Sequence, residues 1–328
     1  MNQYYDRYLS YKTTIDGNLF AFIEKKSPAG LYEPMNYVLN GGGKRIRPMI
    51  TILTCEAFGG TFEESIDAAV AMEILHNFTL VHDDIMDNAD TRRSLQTVHK
   101  KWDVSTAILA GDGLLGLAYR SLLRTNSPRI AEIARVFTES MIEVCEGQSF
   151  DTEFESRGDV TNKEYLMMIG MKTSRLLEAC AVTGALIADG TADDINTMRR
   201  YAENIGLAFQ IQDDLLDIIA DEKEFGKTIG GDIRKGKKTY LLIKALEEAT
   251  NEKDIQILNK AASQNSGISD EEVLAVKGIY DELGIIDDAS KQVAYYTGKA
   301  DEHLDKLPPS DAKEMLKWFS GMLLSRSF

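Results

Sequence analysis

Proline is scarce in this chain, six residues in 328, and with few residues that break helices the chain can form long uninterrupted ones. Strict alternation of apolar and polar residues is missing over most of the length, and apolar positions recur at helical spacing instead. That excludes an extended sheet and predicts an all-α fold. Positive charge is short as well: 37 Lys and Arg stand against 52 Asp and Glu, a net charge of −15. Nucleic acid needs a broad basic field, so it is excluded as a partner. Any anion bound here must meet a local basic cluster or a metal. No apolar run approaches the length of a membrane span, and the first residues are polar and mixed in charge, unlike a signal peptide. These absences predict a cytoplasmic protein with no transmembrane segment. Cysteine numbers only three, Cys55, Cys145 and Cys180. They are odd in number and scattered, without metal-ligand spacing, and read as buried thiols in a reducing compartment.

What is present is a large apolar fraction, 44% of residues, enough for a substantial core. A chain of this length forms one large domain or two. Neither a long linker nor an extended internal repeat marks a boundary, so residues 1–328 are expected to form a single domain. Helical spacing runs from about Asn2 to Lys26, then to Leu39, from Glu63 to Asp87, from Thr106 to Leu123, and from Arg129 to about Glu155. It continues from Asn162 to Ala188 and up to Asp217, with further helical segments from Tyr240 onward.

Charge gathers at five places. The first is Val81-His82-Asp83-Asp84-Ile85-Met86-Asp87, followed by Arg92-Arg93. Asp83 and Asp87 at i and i+4 project from one helix face and repel each other unless a cation lies between them. Mg²⁺ takes one or two carboxylates and fills its shell with water and phosphate oxygens, and two arginines nearby suit the same phosphates. A solvated acidic helix end fits this stretch alone equally well. His76 and Thr79 fall near the same face, and His82 reads as packing or as a support behind the carboxylates. The second place is Asn40-Gly41-Gly42-Gly43-Lys44-Arg45-Ile46-Arg47-Pro48, where three cations flank a helix start. It is either an anion cradle or a helix cap with solvated basic residues. The third is Lys172-Thr173-Ser174-Arg175 inside an otherwise apolar helix, where burial without partners would be costly. The fourth repeats the first: Gln210-Ile211-Gln212-Asp213-Asp214-Leu215-Leu216-Asp217 ends another apolar helix. The fifth follows as Gly226-Lys227-Thr228-Ile229-Gly230-Gly231-Asp232 and Gly236-Lys237-Lys238-Thr239. Two acidic motifs of one form, each with basic neighbours, suggest a shared cleft for a diphosphate whose organic part lies among apolar helices.

Taken in order, GGGKRIRP, DDIMD with its RR, the KT pair, FQIQDDLLD, and GKTIGGD with GKKT make this chain closely similar to the trans-prenyl diphosphate synthases. That family condenses isopentenyl diphosphate with an allylic diphosphate, and the similarity covers at least Gly41 to Lys238. It implies the all-α isoprenoid synthase bundle with a central apolar cavity, a homodimer, and about three Mg²⁺ ions per site. It implies that Lys44, Arg47, His76 and Arg93 bind isopentenyl diphosphate. Asp83, Asp87, Asp213 and Asp217 would hold the metal, with Asp84 and Asp214 completing the catalytic clusters. Arg92, Lys172, Lys227 and Lys237 would meet the allylic diphosphate, and Thr173 and Gln210 would place oxygen dipoles near the allylic cation. Gln148 and Asp151 match a further segment near the metals.

In this family the residues five and four before the first Asp help set the cavity floor, and here they are Phe78 and Thr79. That pair resembles short-chain synthases, geranylgeranyl more than farnesyl, although a helical wheel points Thr79 into the cleft more squarely than Phe78. A farnesyl diphosphate synthase stays open within the family. A terpene cyclase would have no use for the second diphosphate site, and a non-catalytic partner subunit would have degraded acidic motifs. The chain departs from the family pattern at Ser94, where glycine is usual, and at Tyr240-Leu241, where an ending with proline is common. Neither change removes a charge, so small effects are expected.

Overall fold

The computed structural model describes residues 3–23, 27–219, 230–263 and 267–325. They are almost entirely helical, as the spacing of apolar residues predicts. In chain order the helices are α1 (Gln3–Phe22), α2 (Ala29–Leu39), α3 (Ile46–Ala57), α4 (Phe62–Met86), α5 (Val98–Lys101), α6 (Val104–Leu122), α7 (Ile130–Ser156) and α8 (Asn162–Ile169). They continue as α9 (Arg175–Ile187), α10 (Ala192–Ile219), α11 (Gly231–Lys235), α12 (Tyr240–Glu248), α13 (Glu252–Ala261), α14 (Asp270–Glu282), α15 (Ile285–Leu304) and α16 (Asp311–Ser325). Two details were not expected from the sequence. A two-stranded hairpin pairs β1 (Thr91–Arg92) with β2 (Leu95–Gln96), and the helix expected over Asn162–Ala188 is interrupted by a π-helical turn, Gly170–Ser174.

By its internal contacts the chain divides into two compact units. The first comprises Met1–Met141, Leu176–Arg199 and Leu304–Phe319. Its centre is α4, packed between α3 and α6 and begun by a capping box in which Thr61 and Glu64 satisfy each other's backbone amides. Its buried positions run all the way round the helix, from Ala68 through Leu75 to Val81, which marks a core helix. The loop before α3 is anchored by Arg45. Its guanidinium is buried and reaches Asp16 of α1 at 2.7 Å, Glu73 of α4 at 2.8 Å and the Leu39 carbonyl of α2 at 3.1 Å. A buried cation is tolerable only when its partners are this complete.

The second unit comprises Ile142–Arg175, Arg200–His303 and Ser320–Phe328. Its core gathers Phe154, Tyr165, Leu215, Tyr240 and Tyr280 with the apolar faces of α12 to α15. One sequence expectation, that of three buried thiols, changes. Cys145 is exposed on α7, whereas Cys55 and Cys180 are buried, because residue 145 falls on the outer face of its helix. Asp112 is largely solvent-exposed on α6. Among the described residues no helix is long and apolar enough to cross a membrane.

Candidate active site

In the first unit the acidic motif ends α4. Asp87 is the helix cap, its amide donating to the Asp83 carbonyl. Asp84, one position on from Asp83, turns inward, 5% exposed, and accepts from Arg92 Nε at 2.7 Å. Burial pushes the Asp84 carboxyl above its ordinary range, against the pull of Arg92. Arg92 also lies 3.6 Å from Asp83. The hairpin explains how neighbouring arginines serve different partners. Arg92 belongs to β1, while Arg93 and Ser94 form its two-residue turn with φ of 52° and 62°, the left-handed pair that such hairpins favour. The Arg93 guanidinium therefore swings away from Asp84 and donates to the Gly42 carbonyl of the glycine loop.

The basic residues of that loop separate. Arg45, one of three cations in the expected anion cradle, is consumed by Asp16 and Glu73 and does not belong to it. Arg47 remains on the α3 side, with its Nε buried and without a hydrogen-bond partner among the described residues. Burial and the neighbouring Arg93 lower the Arg47 guanidinium from its ordinary value, and burial lowers that of Arg93. His76 completes the group: burial first, then Arg47 and Arg93, hold its imidazole well below the ordinary range. Several cations repelling one another beside an unsatisfied buried N–H form an environment that an anion relieves. Lys44 contributes its carbonyl to the Tyr8 hydroxyl at 3.1 Å. Thr79 turns its hydroxyl back to the His76 carbonyl at 2.8 Å, and Phe78 is buried against His82.

In the second unit the π turn carries Lys172 and Thr173. Such a turn widens the helix by one residue, and glycines on either side make room for it. A Cβ at Gly147 of α7 would lie 2.4 Å from the Lys172 nitrogen, and one at Gly206 of α10 would lie 2.4 Å from Ser174 Oγ. Lys172 meets Asp151 at 2.5 Å, so Asp151 is adjacent to the KT pair, while Gln148 contributes its carbonyl to Thr152. Thr173 donates to Gln210 Oε1 at 3.0 Å, and Gln210 donates to Asp214 at 3.2 Å. Asp214 is 4% exposed and is held by the Tyr165 hydroxyl at 2.5 Å and the Tyr240 amide at 2.9 Å. Burial pushes its carboxyl up to about 7, with Asp232 and Asp213 adding repulsion. Asp217 accepts from the Asp232 amide at 3.1 Å, and the Lys237 amide returns to the Asp232 carbonyl. Lys227 lies outside the described residues.

The two acidic motifs thus share a pattern. In each, the second Asp is buried and bound by the protein, Asp84 by Arg92 and Asp214 by Tyr165 and Tyr240. Sequence reasoning did not find Tyr165, because no charge or spacing marks it. Tyr240, noted only as a departure from the family pattern, supplies Asp214 with an amide donor at the start of α12. Among the described residues, no three acidic, histidine or cysteine side chains form a ready-made metal cage. Asp83 and Asp87, and likewise Asp213 and Asp217, are hard oxygen donors suited to a cation that draws the rest of its shell from water and phosphate.

Residues 28–280 match the polyprenyl synthetase family. A short chain isoprenyl diphosphate synthase of Methanothermobacter thermautotrophicus is 37% identical over 96% of each chain. A geranylgeranyl diphosphate synthase of Sulfolobus acidocaldarius is 41% identical over 83% of this chain and 84% of its own. The crystal structure of geranylgeranyl pyrophosphate synthetase from Pyrococcus horikoshii superposes with a TM-score of 0.93 at 38% identity, covering 99% of this chain and 100% of that one.

Proposed function

Because the chain belongs to the polyprenyl synthetase family and is an enzyme that transfers prenyl groups, we propose that it condenses isopentenyl diphosphate with allylic diphosphates and ends at geranylgeranyl diphosphate. The observation that carries this reading is the pairing of an anion-hungry basic group, Arg47, Arg93 and His76, with two complete acidic motifs. A synthase needs both kinds of site, and a cyclase needs only one. Lys44, Arg47 and Arg93 hold isopentenyl diphosphate by charge, without metal, and the neutral His76 adds a hydrogen bond. The family binds diphosphate through a divalent metal, and Asp83, Asp87, Asp213 and Asp217 are the ligands we assign, for about three Mg²⁺ ions. When bound, the metal neutralises the allylic diphosphate and makes it a better leaving group.

Arg92, Lys172, Lys227 and Lys237 bind that diphosphate beside the metal ligands. Asp84 and Asp214 act one step back: Asp84 orients Arg92, and Asp214 orients Gln210 and through it Thr173. The oxygens of Thr173 and Gln210 face the allylic cation as diphosphate departs. The double bond of isopentenyl diphosphate then attacks, and the departed diphosphate takes up the proton lost in the elimination, no side chain of this chain being assigned as the base. Phe78 and Thr79 set the floor of the apolar cavity. We read the two units as one catalytic domain, placed in the cytoplasm and assembled as a homodimer. The exposed face of α6, with Val104, Ile108 and Leu109 about half accessible, is the apolar surface we assign to the dimer.

Incubation with Mg²⁺, isopentenyl diphosphate and dimethylallyl, geranyl or farnesyl diphosphate tests the product. Chromatography after dephosphorylation is expected to show geranylgeraniol as the main end product from each primer. Farnesol as the end product would move the assignment to a farnesyl diphosphate synthase.

A further inference from the structure

Phe78 and His82 stand four residues apart on α4, so their side chains leave the same face. Their rings meet edge to face, centroids 4.9 Å apart at 65°, a favourable aromatic geometry. Phe78 is buried, and His82 reaches onward to α6, where its Nε2 lies 3.3 Å from the Ile108 carbonyl. What lets the imidazole lie there is Gly111. A Cβ at that position would fall 2.2 Å from His82 Nε2 and 2.5 Å from Cδ2. No side chain fits beneath the ring as it stands, so the imidazole is wedged between the bare backbone of α6 and the edge contact with Phe78.

We propose that Gly111 is a specificity-determining position for product length that acts through His82 on Phe78. The proposal rests on the reading of Phe78 as part of the cavity floor. A floor residue limits a growing chain only if it cannot swing aside, and a Phe ring has just two torsions by which to do so. The His82 ring occupies the space toward α6 into which Phe78 would turn. Removing His82 opens that space and deepens the cavity. Adding a methyl at residue 111 drives the imidazole back onto Phe78 and presses the floor inward.

The test compares the product distributions of wild type, Phe78→Ala, His82→Ala, Gly111→Ala and the double variant His82→Ala/Gly111→Ala, each with isopentenyl diphosphate, Mg²⁺ and each of the three primers. His82→Ala is expected to raise the ratio of products one isoprene unit longer than geranylgeranyl by about tenfold, the scale on which pockets sort neighbouring chain lengths. Gly111→Ala is expected to shift the distribution toward farnesyl. In the double variant the Gly111→Ala effect should vanish, leaving the His82→Ala distribution. A residue that merely stabilises the fold would change yield and not this ratio. His82→Ala removes bulk, so it carries the test even if Gly111→Ala does not fold. A wild-type distribution in His82→Ala, with longer products in Phe78→Ala, overturns the proposal and leaves the floor standing. An unchanged distribution in Phe78→Ala removes the floor reading and the proposal with it.

Discussion

Ser94 occupies the second corner of the Thr91–Gln96 hairpin at φ 62°, where glycine is usual in the family. A left-handed L-residue costs about 1–2 kcal/mol, and glycine gives back part of that through its freer unfolded state. Ser94→Gly is therefore expected to stabilise the protein by about 0.5–1 kcal/mol, measured as a raised midpoint in urea with an unchanged slope. A lowered midpoint would contradict the turn geometry. The acidic residues divide at this scale too. If Asp83 and Asp213 ligate the metal that activates the leaving group, Asp83→Ala and Asp213→Ala should each lower kcat/KM by about a thousandfold, about 4 kcal/mol of transition-state stabilisation. Steady-state kinetics within tenfold of wild type for either would withdraw the assignment.

The π turn shows what an element requires from its neighbours. Lys172 and Thr173 reach Asp151 and Gln210 because the helix is widened there, and the widening depends on Gly147 and Gly206. Gly147→Ala places a methyl 2.4 Å from the Lys172 backbone nitrogen, and overpacking of this kind costs about 1–3 kcal/mol. Thermal unfolding should show that loss, and kcat should fall more than KM rises if Thr173 and Gln210 serve the developing cation, as we propose. Wild-type kcat would detach the turn from catalysis. Helical periodicity and the two acidic helix ends were legible in the sequence because they depend on residues within one or two turns of each other. In the sequence Arg45 reads as part of the anion cradle because its partners, Asp16 and Glu73, lie 29 and 28 residues away. The π turn was hidden for the same reason: the glycines that admit it lie on other helices. The arginine hairpin leaves no turn signal in the sequence because a serine, Ser94, stands where glycine would mark it.

At the scale of the molecule, the proposed site lets a chain with net charge −15 bind a diphosphate through a few arginines and lysines helped by carboxylates that recruit cations. An acidic chain is thereby compatible with a diphosphate substrate. The exposed apolar face of α6 predicts a particle of twice the chain mass by light scattering, and a monomer at micromolar concentration would overturn the dimer. In the proposed reaction the acidic motifs and the basic group together drive condensation. Incorporation of label from isopentenyl diphosphate into extractable prenyl product, with Mg²⁺ and farnesyl diphosphate as primer, tests it most directly. The wild type should incorporate label steadily until the metal is chelated, and Asp83→Ala should incorporate almost none. No incorporation by the wild type with this or either shorter primer would contradict it.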